Sequence, residues 1–429
     1  MGPGYPPVGC GFAAERGGAY TFAPDAAKIL ERFRRLSIPR ISRRNGIADM
    51  NLGEAGRVAL SAPLRMRRGG SLTDVVLAYE SWGQRAADGD NVIVLFTGLS
   101  PSAHAAASTA DPTPGWWEYM VGEGRPLDTR RYQVICFNSL GSCFGSTGPA
   151  SPRPDGGGPY AVDFPDLCVE DIAAAVRMGL EALGIPRVRA LVGTSLGGMS
   201  ALAFAALYPG FARELVVISA AAAALPSAIA IRSLQREVIR SDPAWQGGRY
   251  APGPGPRDGM RIARKIGLMS YRSALEWEQR FGRERREPDA GEVPAFGIEF
   301  QVESYLDANA RKFVDGFDAN CYLYLSRAMD WFDLAEHGDG DLVGAIAAMA
   351  LRRALVVGVE TDFLFPPRQQ VELATALRQA GVDTRLELLP SVQGHDAFLV
   401  DRPRFGALLR DFLAAGAGAD AKGQRLATA

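Results

Sequence analysis

Short apolar runs alternate with helical periodicities along most of the chain beyond about residue 60. The apolar runs end in polar residues or glycine, as buried strands do, and the first of them alternates like an edge strand. These runs are DVVLAYESWG, NVIVLFTG, YQVICFN, RALVGTS and ELVVISA. Apolar residues at helical spacing fill the stretches between them, for example in CVEDIAAAVRMGLEALGI and SALAFAALYP. This alternation predicts an α/β fold with a mostly parallel sheet and helices on both faces.

The pattern changes in the middle of the chain and returns near its end. Long charged stretches such as GMRIARKIGLMSYRSALEWEQRFGR predict amphipathic helices with few strands between about 221 and 345. The strand and helix order then resumes in RRALVVGVETDFLFPP and continues to a last helix from about Pro403. We therefore expect a helical lid insertion that divides one core domain. The predicted segments are an extension (1–60), core (61–220), lid (221–345), core (346–415) and a tail (416–429).

Composition narrows the function classes. The chain has 429 residues, with 47 Lys and Arg against 48 Asp and Glu, so no general field attracts nucleic acid or an anionic membrane. Small-molecule substrates are expected instead. No run of 18 apolar residues and no secretory signal is visible, and the odd, widely spaced cysteines indicate a reducing compartment. A soluble cytoplasmic protein without a metal is expected. The cysteines are Cys10, Cys136, Cys143, Cys168 and Cys321.

The clearest chemical motif is LVGTSLGGM, in which Gly193, Ser195 and Gly197 form G-x-S-x-G. It follows the strand RALV and precedes the helix SALAFAALY, where a nucleophile elbow lifts a serine hydroxyl out of a sheet. With 49 glycines in the chain, the motif alone does not distinguish a nucleophile from an ordinary turn residue. The interpretation therefore depends on partner residues.

A serine nucleophile needs a base, and the chain has three histidines, His104, His337 and His395. His395 follows the apolar run TRLELLP, and Asp362 follows another apolar strand. Both positions fit the carboxyl ends of strands, where open α/β sheets build their sites. The chain order Ser195, Asp362, His395 is that of α/β hydrolases. The alternative makes Asp362 a helix cap or turn residue and His395 an ordinary loop residue.

A tetrahedral oxyanion needs backbone donors. In this fold one donor is the N–H of the residue after the nucleophile, which is Leu196, and another comes from the loop after an early strand. That loop begins at LFTGLS, so Phe96 is the predicted second donor.

Distinctive sequence blocks surround these residues, and together they are typical of one protein family. The longest block is GWWEYMVGEGRPLDTRRYQVICFNSLGSCFGSTGPASP, and the shorter ones are YESWG, TGLSPSAHAA, DFPDLCVED, GTSLGGM, DFLFPP and GHDAFLVD. Over about residues 65–415 the chain resembles the homoserine O-acetyltransferase family of amino-acid O-acyltransferases. In the lid, SAIAIRSLQREVIRSDPAWQGGRY and FDANCYLYLSRAMDWFDLAE are similar to the serine O-succinyltransferase branch. One departure is Thr194 and Leu196 beside the nucleophile, where relatives often carry Asn or Gly and Met.

The resemblance implies an α/β-hydrolase fold, a homodimer and a ping-pong reaction with succinyl-CoA or acetyl-CoA as co-substrate and no bound cofactor. By the family's motifs, Arg236 binds the substrate carboxylate and Asp396 the amino group. Arginine suits a carboxylate better than lysine, and the lid holds Arg232, Arg261, Arg264, Lys265 and Arg272. Arg272, where homoserine enzymes tend to have Leu, is the candidate for the succinyl carboxylate. A solvated helix face or contacts to the phosphates of CoA are the alternatives.

Several functions remain open at this point. One methylene changes discrimination by only about 1–3 kcal/mol, so L-homoserine O-acetyltransferase or O-succinyltransferase and L-serine O-acetyltransferase compete with L-serine O-succinyltransferase. An esterase or thioesterase would pass the acyl group to water. A non-catalytic binding protein is a weaker alternative, because all three triad residues are present.

Overall fold

The computed structural model describes residues 55–427 apart from 252, 254 and 287–294. Its centre is an eight-stranded sheet with the strand order β1-β4-β8-β5-β9-β10-β11-β12, and two small two-stranded sheets join β2 to β3 and β6 to β7. The strands are β1 (Ala55–Ala59), β2 (Leu64–Arg65), β3 (Ser71–Leu72), β4 (Val76–Trp82), β5 (Val92–Phe96), β6 (Val121–Gly122), β7 (Leu127–Asp128), β8 (Gln133–Phe137), β9 (Val188–Thr194), β10 (Ala212–Ile218), β11 (Arg353–Val359) and β12 (Asp383–Leu389).

The sheet is parallel from β8 to β12, whereas β1 and β4 form an antiparallel edge. Every residue of β5, β8 and β9 is buried, which explains why these strands are continuous apolar runs rather than alternating ones. The parallel strands bring their carboxyl ends to one edge of the sheet. Ser195 follows β9 and Asp362 follows β11 at that edge.

Helices cover both faces of the sheet, and an apolar cluster fills each interface. The helices are α1 (Val169–Ala182), α2 (Leu196–Leu207), α3 (Pro226–Ser241), α4 (Arg257–Tyr271), α5 (Ala274–Phe281), α6 (Gln301–Val314), α7 (Ala319–Trp331), α8 (Leu342–Ala348), α9 (Pro367–Gln379), α10 (Ala397–Val400) and α11 (Arg402–Ala427). Short 3-10 helices lie at Ala161–Asp163, Pro243–Gly248, Leu334–Gly338 and Gly394–Asp396. The predicted α/β fold with a mostly parallel sheet is confirmed.

The lid, residues 226–348, holds α3 to α8 and connects β10 to β11. Its first helix begins with Pro226, whose fixed φ suits the first helical position. Its third helix, α5, is capped by the Ser273 side chain, which accepts a hydrogen bond from Glu276 N at 3.1 Å. α3 packs on α4, and α4 packs on α6. The lid thus places the end of α4 beside the 3-10 turn Gly394–Asp396.

Two predicted boundaries differ from the structure. Most of the predicted extension lies outside the described residues, but Ala55–Ala59 form β1 and pair with β4, so the sheet begins before residue 60. At the other end, α11 continues through the predicted tail to Ala427. Backbone pairing in β1 is determined by a partner strand, which a short stretch without clear alternation such as AGRVA does not reveal.

The described cysteines, Cys136, Cys143, Cys168 and Cys321, carry free thiols. Cys10 lies outside the described residues. Within residues 55–427 as described, no helix has the length and apolar content that crossing a bilayer requires.

Candidate active site

Ser195 occupies the sharp turn between β9 and α2. Its backbone has φ 53° and ψ −124°, a conformation that side chains with a Cβ rarely adopt. Ser195 N donates to Ile218 O at 3.0 Å, which fixes the turn against the end of β10. This is the strained strand-to-helix geometry of a nucleophile elbow, with the hydroxyl raised above the sheet.

The glycines around Ser195 are needed for space rather than for flexibility. A Cβ on Gly193 would lie 2.1 Å from Gly197 O, and one on Gly197 would lie 2.2 Å from Phe96 O. Both contacts are with backbone atoms, so neither neighbour can move without displacing a strand or α2. The glycine spacing in the sequence therefore reports close backbone packing under the nucleophile.

The three predicted triad residues come together. Ser195 Oγ lies 2.9 Å from His395 Nε2, and His395 Nδ1 lies 2.8 Å from Asp362 Oδ2. The other carboxylate oxygen, Asp362 Oδ1, accepts hydrogen bonds from Leu364 N at 2.9 Å and Phe365 N at 3.0 Å. These two backbone donors hold the carboxylate so that it orients the imidazole, which can then accept the serine proton.

His395 is buried in an aromatic setting. Its ring stacks on Phe365 at 5.4 Å between centroids and meets the edge of Phe398 at 5.7 Å. Burial lowers the pKa of His395, but the charge and hydrogen bond of Asp362, together with the charge of Asp396, outweigh it and raise the pKa above its ordinary value. The imidazole is thus prepared to take up a proton from a neighbouring hydroxyl.

The other two histidines are bound elsewhere. His104 Nδ1 lies 2.8 Å from Glu80 Oε2, and His104 Nε2 lies 2.8 Å from Thr113 O. His337 Nε2 lies 3.2 Å from Glu170 Oε1, in the first turn of α1. Both ring nitrogens of His104 are therefore occupied, and neither histidine contacts the nucleophile.

The two predicted oxyanion donors lie on either side of the nucleophile turn. Leu196 is the first residue of α2, so its N–H lies at the helix start next to Ser195. Phe96 is the last residue of β5, in register with Gly193 of β9 and Phe137 of β8, and its carbonyl oxygen lies close to Gly197. The assignment of both N–H groups as oxyanion donors stays a prediction.

Two arginines of α3 are held by α7. Arg232 and Arg236 both pair with Asp330. Arg232 Nε lies 2.5 Å from Asp330 Oδ1, and Arg236 Nη2 lies 2.7 Å from Asp330 Oδ2. Arg236 Nη1 also donates to Ser326 Oγ at 2.9 Å. Arg232 is only 5% exposed, and its Nη2 has no hydrogen-bond partner among the described residues. A buried donor without a partner is costly, so this nitrogen is a candidate to donate to a bound molecule.

A third arginine, Arg264 of α4, completes a cationic cluster. Its guanidinium lies 4.3 Å above the ring of Phe313, and its buried Nε has no hydrogen-bond partner among the described residues. Burial raises the pKa of Tyr322, and the charges of Arg264, Arg232 and Arg236 all act against that rise. The charges of the three guanidinium groups therefore all reach one buried hydroxyl. The charge of Arg232 also acts to lower the pKa of His395.

Arg272 and Asp396, which sequence analysis assigned to different substrate groups, contact each other. Arg272 Nε lies 3.1 Å from Asp396 Oδ2, and Arg272 Nη1 donates to Gln393 Oε1 at 2.9 Å and to Glu276 Oε1 at 3.4 Å. Arg272 thus contacts two carboxylates of this chain, although its Nε has no hydrogen-bond partner among the described residues. Its binding of a succinyl carboxylate stays a prediction.

Sequence reasoning missed the acidic side of the cationic cluster. Arg232 and Arg236 are four residues apart, and so are Ser326 and Asp330, which puts each pair on one helix face. That spacing was a usable signal for two facing helices. Tyr322 had no such signal, because its burial depends on how the lid helices pack.

Comparisons with known proteins agree with this geometry. A family model for the alpha/beta hydrolase fold matches residues 91–401. A serine O-succinyltransferase of Litchfieldella anticariensis is 60% identical over 357 residues, covering 83% of this chain and 97% of that protein. One from Stenotrophomonas maltophilia is 56% identical over 355 residues, covering 83% and 96%. Among solved structures, a homoserine O-acetyltransferase from Bacillus anthracis matches with a TM-score of 0.76 and 26% identity, covering 84% and 97%. Esterase E22 matches with a TM-score of 0.76 and 25% identity, covering 84% and 99%.

Proposed function

Because the chain belongs to the serine O-succinyltransferases of the α/β-hydrolase fold family, we propose that it transfers succinyl from succinyl-CoA to the hydroxyl of L-serine. The observation that carries this proposal is the 60% identity to a serine O-succinyltransferase over 83% of the chain. The hydrogen-bonded Ser195, His395 and Asp362 support it, since acyl transfer through a serine ester requires that arrangement.

In the first half-reaction His395 Nε2 takes the proton of Ser195 Oγ while the oxygen attacks the thioester carbonyl. The resulting oxyanion is bound by the N–H of Leu196 and, as predicted from the sequence, by the N–H of Phe96. The C–S bond then breaks, the thiol of CoA leaves with the proton from His395, and the succinyl group remains as an ester on Ser195. Asp362 stabilises the imidazolium formed between these steps.

In the second half-reaction the amino-acid hydroxyl replaces CoA. His395 removes the hydroxyl proton as that oxygen attacks the ester, and then returns a proton to Ser195 Oγ when the ester bond breaks. The product is O-succinyl-L-serine, and the enzyme regains its starting state. The same base serves both halves, so a single imidazole with a raised pKa governs the complete cycle.

The acceptor is a zwitterion, so it needs a cation and an anion in the site. Arg236 is our candidate for the amino-acid carboxylate, because its remaining N–H groups extend beyond Asp330 and Ser326. Asp396 is the candidate for the ammonium group, since it directly follows the catalytic His395 in the chain. A hydroxyl of serine held between the two would lie close to the base.

The positive charge of this lid cluster supports two substrates that each bring one carboxylate. Asp330 pairs with both Arg232 and Arg236, and no ion pair of Arg264 is found among the described residues, so the cluster offers positive charge to substrate carboxylates. The reaction brings two carboxylates, one on serine and one on the succinyl group. Arg232, Arg264 and Arg272 each have a buried nitrogen without a hydrogen-bond partner among the described residues. We favour Arg232 and Arg264 for the succinyl carboxylate, because Arg272 already contacts two carboxylates, Asp396 and Glu276.

The test pairs succinyl-CoA or acetyl-CoA with L-serine or L-homoserine and identifies each product by mass. We expect O-succinyl-L-serine to dominate. A dominant homoserine or acetyl ester would contradict the substrate assignment and leave the triad unaffected. CoA release without any amino-acid ester would favour hydrolysis, the activity of the structurally similar esterase E22.

Two further properties belong to the same proposal. We propose a homodimer that pairs through the lid, because the lid exposes the large apolar side chains of Leu234, Ile262, Met269 and Leu275. We also propose a cytoplasmic location, because the proposed reaction consumes succinyl-CoA and the described cysteines carry free thiols. Light scattering of the purified protein tests the dimer, and replacing Leu234 and Met269 with Glu should yield monomers.

A further inference from the structure

One corner of the lid is packed directly against the loop that carries the catalytic histidine. At Gly394, φ is +64°, and a Cβ there would lie 2.7 Å from Tyr271 O and 2.9 Å from Ser273 N. Ser273 Oγ donates to Val392 O in the same loop. The corner and the loop therefore fit without space between their backbones, and any group held at this junction has a defined position relative to the base.

Arg272 lies at the centre of this junction. Its side chain is 11% exposed, and it joins two partners on the loop, Asp396 at 3.1 Å and Gln393 at 2.9 Å, to Glu276 of α5 at 3.4 Å. Asp396 Oδ2 is the atom that Arg272 contacts. The carboxylate of Asp396 is thus oriented from one side, and no direct hydrogen bond between Arg272 and His395 is present.

We propose that Arg272 is a positioning residue that holds the Asp396 carboxylate beside His395. Arg272 thereby orients this carboxylate for an ammonium group and weakens the effect of the carboxylate's negative charge on His395. The ammonium part of this statement rests on the proposed function, whereas the effect on the base requires only the triad.

The effect of Arg272 on the pKa of His395 depends on the charged and aromatic groups that face this histidine. These are Asp362 after β11, Asp396 in its own turn, Arg232 of α3 and the Tyr271 ring at 6.0 Å. Asp396 makes protonation of His395 easier, and the positive charge of Arg272 offsets part of that effect. Removing Arg272 leaves the Asp396 charge less compensated, so His395 should hold its proton to a higher pH.

The first experiment measures acylation of Ser195 by p-nitrophenyl acetate across pH, a reaction that needs neither succinyl-CoA nor serine. In Arg272→Gln we expect the acid limb of the rate profile to move up by about half a pH unit, the effect of one partly screened charge. Arg280→Gln is the matched control, because Arg280 also pairs with Glu276, at 3.5 Å, and does not contact the loop. An unmoved limb in Arg272→Gln, or an equal shift in the control, overturns the proposal.

The second experiment is a double-mutant cycle with Asp396→Asn in the full enzyme. Arg272→Gln should raise the KM for the amino-acid acceptor about tenfold, as expected for one charge-assisted contact, and change the KM for the acyl donor less than twofold. In the Asp396→Asn background it should add little, because the residue acts through Asp396. Additive effects, or a rise in donor KM instead, would show that Arg272 binds substrate itself.

A conservative variant separates positioning from a loss of folding. Arg272→Lys keeps a positive charge at the junction but not the fork that reaches both Asp396 and Gln393. The acid limb of the acylation profile should therefore return to its wild-type position, while the acceptor KM recovers only in part. If Arg272→Lys behaves like Arg272→Gln in both assays, or melts at a clearly lower temperature than Arg280→Gln, the residue is structural and the proposal is wrong.

Discussion

Replacing Asp362 with Asn tests how the triad is held together, because the amide keeps the shape of the carboxylate and removes its charge. The amide has two orientations. Its oxygen can face the backbone donors of Leu364 and Phe365, with NH₂ toward His395, or the reverse. The reverse orientation would set NH₂ against two N–H donors inside a buried site.

The backbone donors decide between these orientations. Leaving a buried donor unsatisfied costs about 1–3 kcal/mol, so losing two costs at least about 2 kcal/mol. At that energy more than roughly 95% of molecules keep the amide oxygen on the backbone N–H groups. The NH₂ then donates to His395 Nδ1, which forces the ring proton onto Nε2, the atom that must accept the proton of Ser195. In a triad this wrong tautomer lowers kcat by about 10⁴.

The assay is the rate of Ser195 acylation by p-nitrophenyl acetate, followed by release of the nitrophenolate, with intact mass to count the acyl groups. Glu360→Gln is the matched control, since it removes an exposed carboxylate two residues earlier at the end of the same strand. We expect a loss of about 10⁴ in Asp362→Asn and less than twofold in the control. A loss smaller than tenfold in Asp362→Asn, with an unchanged melting temperature, would refute the argument from hydrogen-bond orientation.

Four other outcomes follow from the site. Ser195→Ala should show no acyl-enzyme mass after incubation with succinyl-CoA, and an unchanged acylated peak would contradict the assignment of the nucleophile. The pKa of His395 is raised and the neutral imidazole is the base, so the acylation rate should fall as the pH drops through a value above about 6.5. If the acid limb of the pH–rate profile lies below that value, the pKa of His395 is not raised. Gly197→Ala should lower the melting temperature and abolish acylation, because its Cβ would lie 2.2 Å from Phe96 O; wild-type behaviour in both measurements would show that the turn tolerates a side chain. Arg232→Leu should reduce the preference for succinyl-CoA over acetyl-CoA about tenfold in kcat/KM, and an unchanged ratio would exclude it from the donor site.

Sequence reasoning located the elbow and triad for local physical reasons. The serine is enclosed by a strand, a helix and glycines within ten residues, and the other two residues each follow an apolar strand. Parallel strands share a carboxyl edge, so residues after β9, β11 and β12 meet without further information. The second oxyanion donor stays a prediction, because strand ends are uncertain by a residue or two and Phe96, the last residue of β5, is opposite Gly193 within the sheet.

The amino-acid sequence by itself determined the α/β order, the lid segment, the nucleophile and its two partners, because periodicity and short-range spacing carry that information. Only the tertiary structure decided which arginines are paired with carboxylates of this chain and which can bind the carboxylates of substrates. Arg236 shares Asp330 with Arg232 across two helices, and Arg272 is bound by Asp396 at a position 124 residues further along the chain. Charges pair according to distance in space and degree of burial, and both are set by how the lid packs on the sheet.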